Sequence, residues 1–321
     1  MGEIIQQTSV VPEDFGGRRF DQIAVDSFPD FSRSKLQAWI KLGVLQVDGK
    51  SCKPKDRLVG GERLCLNVEI EERKRWGQEY IPLDIVYEDE DILVINKSSG
   101  LVVHPAAGNY SGTLLNGLLY HCHKLASLPR AGIVHRLDKD TSGLMVVAKT
   151  LAAHTDLVTQ LQERSIDREY EAVAQGVMTG GGVVNQPIGR HRVHRIKNAV
   201  VSSGKQSITH YRVIKRYRAH THVRLKLETG RTHQIRVHMA HICYPLVGDQ
   251  LYGGGLKLPK ACEFELKEQL QKFRRQALHA RRLGLIHPVN NEFIEWQAPL
   301  PDDFQHLLEA LSGDQENKNE V

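Results

Sequence analysis

The chain has 321 residues, of which 40% are hydrophobic and 25% are charged, and its formal net charge is +5 at pH 7. This length and composition are typical of a globular protein with about two domains. No apolar run approaches the ~18 residues of a membrane span, and the five scattered cysteines form no CxxC pair, which argues against a disulfide framework. Because the chain also lacks a basic segment followed by an apolar stretch at its start, we predict a cytoplasmic protein.

The first predicted domain covers residues 16–76 and comes after a flexible lead-in over residues 1–15. Two short helices open it, and Ser32 and Gly43 are candidate caps for the start and the end of the second helix. The apolar residues of the two helices recur at helical spacing: Phe20, Ile23, Ala24 and Phe28 in the first, and Leu36, Trp39 and Ile40 in the second.

The second half of this domain is predicted to form strands. Residues 44–47 alternate as a strand, Asp48 and Gly49 make a strong hairpin turn, and another strand covers residues 64–70. The polar run at 71–75 is the predicted linker between the two domains.

The second predicted domain covers residues 80–311 and leaves a polar tail over 312–321. Continuous or alternating apolar residues indicate strands, and apolar residues at helical spacing indicate helices. The resulting fold class is α+β, with a mixed and mainly antiparallel sheet. The predicted elements are a hairpin at 86–95, strands near 143–148, 170–174, 223–227, 278–286 and 292–297, and helices at 151–164, 232–242 and 264–275.

Charge is distributed unevenly along this domain. Residues 188–238 contain 13 Lys and Arg residues against a single acid, Glu228, whereas residues 302–321 contain six acids and one lysine. A block this basic usually meets a polyanion such as a nucleic acid. A solvated basic face is the alternative interpretation.

Several motifs that would indicate a metal or a cofactor fail on inspection. The segment that begins at Asp138 starts like a calcium-binding loop, but Lys149 stands where the twelfth position requires an acidic ligand. His238 and His241 share a helix face from which His233 is turned away, so a zinc site is disfavoured. The chain has no GxxxxGK[ST] phosphate loop and no dinucleotide fingerprint. We therefore predict no metal and no cofactor.

One carboxylate among cations stands out. Asp138 is flanked in sequence by Arg130, His135, Arg136 and Lys139, which would stabilise its charge. A plain structural ion pair would look the same, so the spacing alone leaves both interpretations open.

Longer segments change this balance. The segment Ala131–Gly143, which contains His-Arg-Leu-Asp, resembles the signature of the RluA-type pseudouridine synthases. Family members usually have Pro where Ser98 stands and often His where Tyr244 stands, which puts local loop shape in doubt. Other segments resemble further motifs of the same family in the expected order: 96–105, 168–172, 228–238, 244–249 and 276–280.

The N-terminal domain resembles an S4 RNA-binding domain. The resemblance is carried by residues 32–35 and by residues 40–49. In such a domain, short helices present cations to RNA phosphates. Arg33, Lys35 and Lys41 are the residues that this resemblance assigns to RNA binding.

The resemblance implies isomerisation of uridine within RNA, in which the bond from N1 to the ribose breaks and a carbon–carbon bond forms from C5. Asp138 would act at the ribose, either by attacking C1′ or by removing the 2′ proton, and the sequence leaves both open. Arg236 would pair with Asp138, although Arg231 is as basic and lies nearby. Tyr170 would stack on the uracil and assist removal of the C5 proton.

Three further residues would contact the substrate. Arg136 would fill the space that the flipped base vacates, since a planar guanidinium suits stacking. Ile235 would form an apolar wall against the base, and His135 is a further candidate for substrate binding. Taken alone, Tyr170 and Ile235 would fit core positions equally well.

The implied partner is large-subunit (23S) ribosomal RNA, with the helix 69 stem-loop as the expected target. No membrane is implied, and nothing requires more than a monomer. A non-catalytic RNA-binding or ribosome-assembly factor would use the same basic residues, but it has no need of Asp138, Tyr170 and Arg236 together. An RNA hydrolase would want a metal cluster or an acid–base pair.

Overall fold

The computed structural model describes residues 3–29, 31, 33–70, 76–106, 108–194 and 196–319. The chain separates into two compact units, Met1–Arg75 and Trp76–Val321. The candidate cap Ser32 and the predicted linker at 71–75 lie outside the described residues. Among the described residues, no helix combines the length and the apolarity that a membrane crossing requires.

The N-terminal unit is a three-stranded antiparallel sheet with two helices. Its core is apolar because one face of each helix is apolar at the spacing that the sequence shows, so that Phe20, Ile23, Leu36 and Ile40 are buried together with Leu64. The sheet order is β1-β3-β2. The elements are β1 (Glu3–Val10), α1 (Phe20–Ser27), α2 (Arg33–Leu42), β2 (Leu45–Val47) and β3 (Arg63–Ile70).

One expectation for this unit is corrected. The predicted lead-in over 1–15 contains β1, which pairs with β3 along its whole length, from Glu3 opposite Ile70 to Val10 opposite Arg63. A strand held by backbone hydrogen bonds needs a partner edge more than a strong side-chain pattern, and β3 supplies that edge. The predicted Asp48–Gly49 turn is confirmed, with φ of 49° and 73°, and Val47 pairs with Lys50 across it in an antiparallel bridge. The longer strand that pairs with β2 is β3.

The second unit is built on one large sheet. Among the described residues this sheet has nine strands, in the order β4-β5-β6-β13-β7-β12-β11-β8, with β14 paired to β13. Its strands are β4 (Ile85–Glu88), β5 (Ile92–Lys97), β6 (Ser142–Ala148), β7 (Asp167–Gln175), β8 (Gly182–Asn185), β11 (Ile208–Arg216), β12 (His220–Leu227), β13 (Leu278–Ile286) and β14 (Phe293–Gln297). The short strands β9 (Ile188–Arg190) and β10 (Asn198–Val200) form a separate pair.

Helices pack around this sheet, and the predicted α+β class is confirmed. They are α3 (Leu114–His121), α4 (Leu151–Glu163), α5 (Gln234–His241), α6 (Phe264–Lys272) and α7 (Asp302–Asn319). The polar tail predicted over 312–321 is wrong for most of its length, because α7 continues to Asn319. Asp314 anchors that part of the helix: it is 3% exposed and accepts two hydrogen bonds from Arg218, at 2.9 and 3.0 Å.

The middle of the sheet brings distant segments together. Every pairing among the described strands is antiparallel except that of β6 with β13. Gly143 has a φ of 116°, and a Cβ at this position would collide with the backbone of Ala280. Glycine is therefore required where these two strands approach, because other residues fit neither the backbone conformation nor the space.

Part of the basic block at 188–238 is engaged within the fold. Several of its cations are paired within the fold: Lys226 with Asp167, Arg218 with Asp314, and Arg236 with two aspartates. The local excess of positive charge in the sequence therefore overstates the charge that is free to meet a polyanion.

Candidate active site

A tight turn leads the chain towards Asp138. Arg130, Ala131 and Gly132 are consecutive residues with left-handed backbone, with φ of 52°, 53° and 77°. A Cβ at Gly132 would collide with the carbonyl of Ala148, so only glycine fits there. The other two residues carry a Cβ in a conformation that costs each of them about 1–2 kcal/mol. Strain of this kind is typical of segments that must hold a functional group in place.

The carboxylate of Asp138 is held by Arg236, which lies 98 positions further along the chain on α5. Nη1 of Arg236 donates to Oδ2 of Asp138 at 3.0 Å. The other side of the same guanidinium donates twice to Asp249, from Nε at 2.7 Å and from Nη2 at 2.8 Å. Such a two-point contact fixes the plane of the guanidinium. Asp138 is half-buried, whereas Arg236 and Asp249 are buried.

Electrostatics agree with this geometry. Burial alone would lower the pKa of Arg236, but its contacts with Asp249 and then with Asp138 raise it overall. Burial would raise the pKa of Asp249, but Arg236 and two backbone N–H groups hold it below its usual range. Those N–H groups belong to Leu251 and Tyr252 and donate to Oδ1 at 2.9 and 3.0 Å. Arg236 therefore stays charged and oriented.

His233 and Tyr252 form a second layer beside the carboxylate. Nδ1 of His233 lies 2.9 Å from the Tyr252 hydroxyl, and its Nε2 lies 4.0 Å from Oδ1 of Asp138. His233 has a φ of 59° at the start of α5. Its pKa is lowered by burial, which the nearby Asp138 opposes.

Tyr170 lies on β7, on the face that meets the main apolar cluster of this unit. It is 6% exposed and packs in the same cluster as Ile235, Leu225 and Ala280. Burial raises the pKa of its phenol; Arg168 opposes the rise and Asp138 adds to it. Its hydroxyl makes no hydrogen bond to any residue that the structure describes, which leaves it available to a substrate.

His135 and Arg136 precede Asp138 but differ in their surroundings. Nε2 of His135 accepts a hydrogen bond of 3.0 Å from the backbone N–H of Val146, and burial lowers its pKa to about 3. That ring nitrogen thus supports the loop against β6, so the predicted substrate contact would have to use another atom. Arg136 is exposed, and its guanidinium has no hydrogen-bond partner in the described part of the chain.

The sequence did not single out Lys97, although it lies in the segment 96–105 that carries one of the family motifs. Its side chain is 2% exposed, and Nζ donates to the carbonyls of Ser98, Leu101 and Lys139 at 2.7, 3.0 and 2.9 Å. Burial lowers its pKa to about 8. Lys97 therefore ties the loop after β5 to the residue next to Asp138. Asp249 was missed in the same way, within the motif at 244–249.

The N-terminal unit places its three predicted RNA contacts differently. Nη2 of Arg33 donates to the buried Asp21 at 2.9 Å, with about half of the Arg33 side chain still exposed. Nζ of Lys35 lies over the rings of Phe31 and Trp39, at 5.0 and 4.7 Å. Lys41 lines an open depression of about 440 Å³ whose other cations, Arg19, Lys53 and Lys55, the sequence did not single out.

Histidines that could suggest a metal lie apart or are already bonded. His238 contacts the Thr209 hydroxyl at 2.8 Å and the Gln186 carbonyl at 3.0 Å. Across the described residues, no three His, Cys, Asp or Glu side chains are grouped so as to hold a metal ion.

The site thus combines a half-buried aspartate held by a fixed arginine with a buried tyrosine whose hydroxyl bonds to no described residue. A family model described as "RNA pseudouridylate synthase" matches residues 91–241, a range that contains Asp138, Tyr170 and Arg236. The chain belongs to this family, the RNA pseudouridine synthases, and is an enzyme of that class.

Relatives align over the whole chain. A Pseudomonas aeruginosa protein named ribosomal large subunit pseudouridine synthase D is 58% identical over 98% of this chain and 99% of its own length. A protein of the same name from Escherichia coli (strain K12) is 54% identical over 100% of this chain and 99% of its own. The structure of human RNA pseudouridylate synthase domain containing 4 is 28% identical with a TM-score of 0.55, covering 71% of this chain and 92% of that one.

Proposed function

We propose that this enzyme converts uridine to pseudouridine in large-subunit (23S) ribosomal RNA, and that its targets lie in the helix 69 stem-loop. The near full-length similarity to proteins named for the large ribosomal subunit supports the RNA class. The resemblance of the matched motifs supports the particular stem-loop. The enzyme works on this RNA in the cytoplasm, as a monomer and away from membranes.

The observation that carries this proposal is the chain of contacts from Asp249 through Arg236 to Asp138. Asp138 acts at the ribose of the target uridine. It either attacks C1′, so that the bond to N1 breaks, or removes the 2′ proton to give a glycal. In the first route, C5 of the turned uracil bonds to C1′ as the Asp138 carboxylate leaves. In the second route, the bond to N1 breaks as the glycal forms, and the 2′ proton returns as C5 bonds to C1′. In both routes the C5 proton is then removed and N1 takes up a proton. No atom is gained or lost, and the chemistry requires no cofactor.

Other residues present the base to Asp138. Arg136 enters the stack that the flipped base leaves, which agrees with its exposed guanidinium. Tyr170 stacks on the uracil, and its hydroxyl takes part in removal of the C5 proton. Ile235 packs beside Tyr170 and closes the apolar side of the base site. His135 assists by holding the loop against Val146.

The N-terminal unit binds RNA as an S4-like domain. Lys41 acts with the cations that share its depression, and Arg33 and Lys35 present charge from the same helix, α2. Binding therefore weakens as salt rises, because each phosphate contact releases counterions.

A helix 69 stem-loop transcript tests the proposal directly. The enzyme is incubated with this RNA and with a stem-loop of equal length from elsewhere in 23S RNA, and pseudouridines are mapped chemically. We expect modification of helix 69 alone, and none from Asp138→Asn, which keeps the size of the side chain but removes its charge. Modification of the control RNA alone would contradict the proposal that helix 69 is the target. Full activity of Asp138→Asn would contradict the mechanism, and RNA binding by the wild type without product would indicate a non-catalytic factor.

A further inference from the structure

Arg168 is a buried cation for which the proposed chemistry has no use. It lies on β7 two residues before Tyr170 and is 6% exposed. Lys and Arg side chains are almost never this buried unless they are paired. Yet no carboxylate among the described residues pairs with Arg168, its Nε has no hydrogen-bond partner, and its Nη2 has only a long contact of 3.4 Å to the Glu228 carbonyl.

The position of this guanidinium is tightly constrained. Alternate residues of a strand point to the same face, so Arg168 lies on the face of Tyr170. A Cβ added at Gly230 would come within 2.9 Å of Nη1 of Arg168, which shows that the guanidinium packs directly against this glycine. It is also close enough to His135 to lower the pKa of that ring further, after burial. Arg168 is carried by β7, and its guanidinium therefore lies near the turn before α5 and near the loop that contains Asp138.

We propose that Arg168 is a positioning residue that acts through Tyr170, by favouring the anionic form of its phenol during removal of the C5 proton. This inference rests on the role proposed for Tyr170 in the reaction. In that step the phenolate oxygen takes the proton from C5, the C–H electron pair forms the C5=C6 double bond, and the C6=N1 pair moves onto N1, which takes a proton from solvent. Neutral tyrosine remains. The tyrosine then loses this proton to solvent. A fixed positive charge lowers the cost of forming the phenolate in a buried site.

The other charges near Tyr170 cannot replace Arg168. Asp138 is an anion and disfavours the phenolate. Arg236 faces the site from α5, but its donors are divided between two aspartates. The residues opposite Tyr170 on the neighbouring strands are Leu225 and Ala280, which carry no charge.

The test is the pH dependence of single-turnover tritium release from a helix 69 stem-loop labelled at C5 of uridine. For Arg168→Gln we expect a rate reduced roughly tenfold or more at neutral pH, with the half-maximal pH moved upward by about one unit or more, since one nearby charge is lost. Arg168→Lys keeps the charge and should stay within about threefold of wild type. The matched control is Arg282→Gln, which removes a cation bonded to the neighbouring Glu169 and should leave the half-maximal pH unchanged.

The outcomes separate this inference from the proposed function. If wild type releases no tritium, the proposed function fails. If wild type is active and Arg168→Gln loses rate equally at all pH values, Arg168 only supports the fold. A rate of Arg168→Gln equal to that of wild type also overturns the inference. If Arg168→Gln does not fold, Gly230→Ala serves, because the added methyl displaces the guanidinium without removing it. Gly230→Ala should also move the half-maximal pH upward, but by less than Arg168→Gln does. A half-maximal pH equal to that of wild type would overturn the inference.

Discussion

The two faces of β7 treat charge in opposite ways. On one face, Asp167 contacts Lys226 at 2.5 Å and Glu169 contacts Arg282 at 2.8 Å. Glu171 lies 2.9 Å from the His222 ring and 3.7 Å from Arg281. On the other face, Arg168 and Tyr170 are buried and, among the described residues, contact no oppositely charged group. Because a single strand supplies both faces, the difference comes from what packs on each side. The charges on one face are paired, whereas Arg168 and Tyr170 on the other stay unpaired within the described part of the chain, as the roles proposed for them require.

We expect the largest effect from a substitution on the face of β7 that carries Arg168 and Tyr170. Tyr170→Phe keeps the ring but removes the hydroxyl, and we expect turnover to fall roughly 100- to 1000-fold, the scale of general acid–base catalysis. Tritium release from C5-labelled RNA measures it. Thermal unfolding should be unchanged, since the hydroxyl bonds to no described residue. Turnover near that of wild type would show that both faces of β7 serve only the fold.

Asp249→Asn should rank second, because it acts on Asp138 only through Arg236. We expect turnover to fall about 10- to 100-fold through misplacement of the guanidinium. The free energy of unfolding should fall by about 3 kcal/mol, since a buried pair is broken. The amount of pseudouridine formed at fixed times measures turnover, and denaturant unfolding measures the free energy of unfolding. Asp314→Asn breaks the comparable two-point contact with Arg218 and should cost stability with turnover intact. Equal turnover losses in both variants would contradict this distinction.

Glu171→Gln tests the opposite face. Burial would raise the pKa of Glu171, but His222 and two arginines lower it overall. The native state therefore binds this proton less readily than the unfolded state, so the stabilisation is present above the ordinary glutamate pKa and is lost as pH falls through the lowered value. We expect the variant to be about 1–3 kcal/mol less stable at neutral pH, with the difference vanishing in acid. Turnover should stay within about twofold. A stability difference that grows in acid would refute this account.

Lys226→Gln should have the smallest effect. Its contact with Asp167 is short, but half of the lysine side chain is exposed. Exposed pairs contribute about 0–1 kcal/mol and are screened by salt. Denaturant unfolding at low and high salt measures this contribution, which should shrink as salt rises. A loss of stability as large as that of Glu171→Gln would mean that solvent exposure does not determine how much each contact on this face contributes to stability.

The sequence predicted local elements best where periodicity was strong. Strands β6 and β7 and helices α1, α2 and α4 lie close to their predicted positions. The strand β1 and the whole of α7 were missed. The order of β1 depends on a partner, β3, and the far part of α7 is held by Arg218. Among the site residues, Asp138, Tyr170 and Arg236 came from the resemblance, since spacing alone could not rank Arg236 above Arg231.

By itself, the sequence determined which residue types alternate along each strand and which segments resemble known motifs. Periodicity records which side chains share a face, because the backbone geometry of a strand repeats every two residues. It does not record which strand lies next to which. The contact of Arg236 with Asp138 across 98 positions, its orientation by Asp249, and the isolation of Arg168 beside Tyr170 were decided only by the packing of α5 and the order of the sheet.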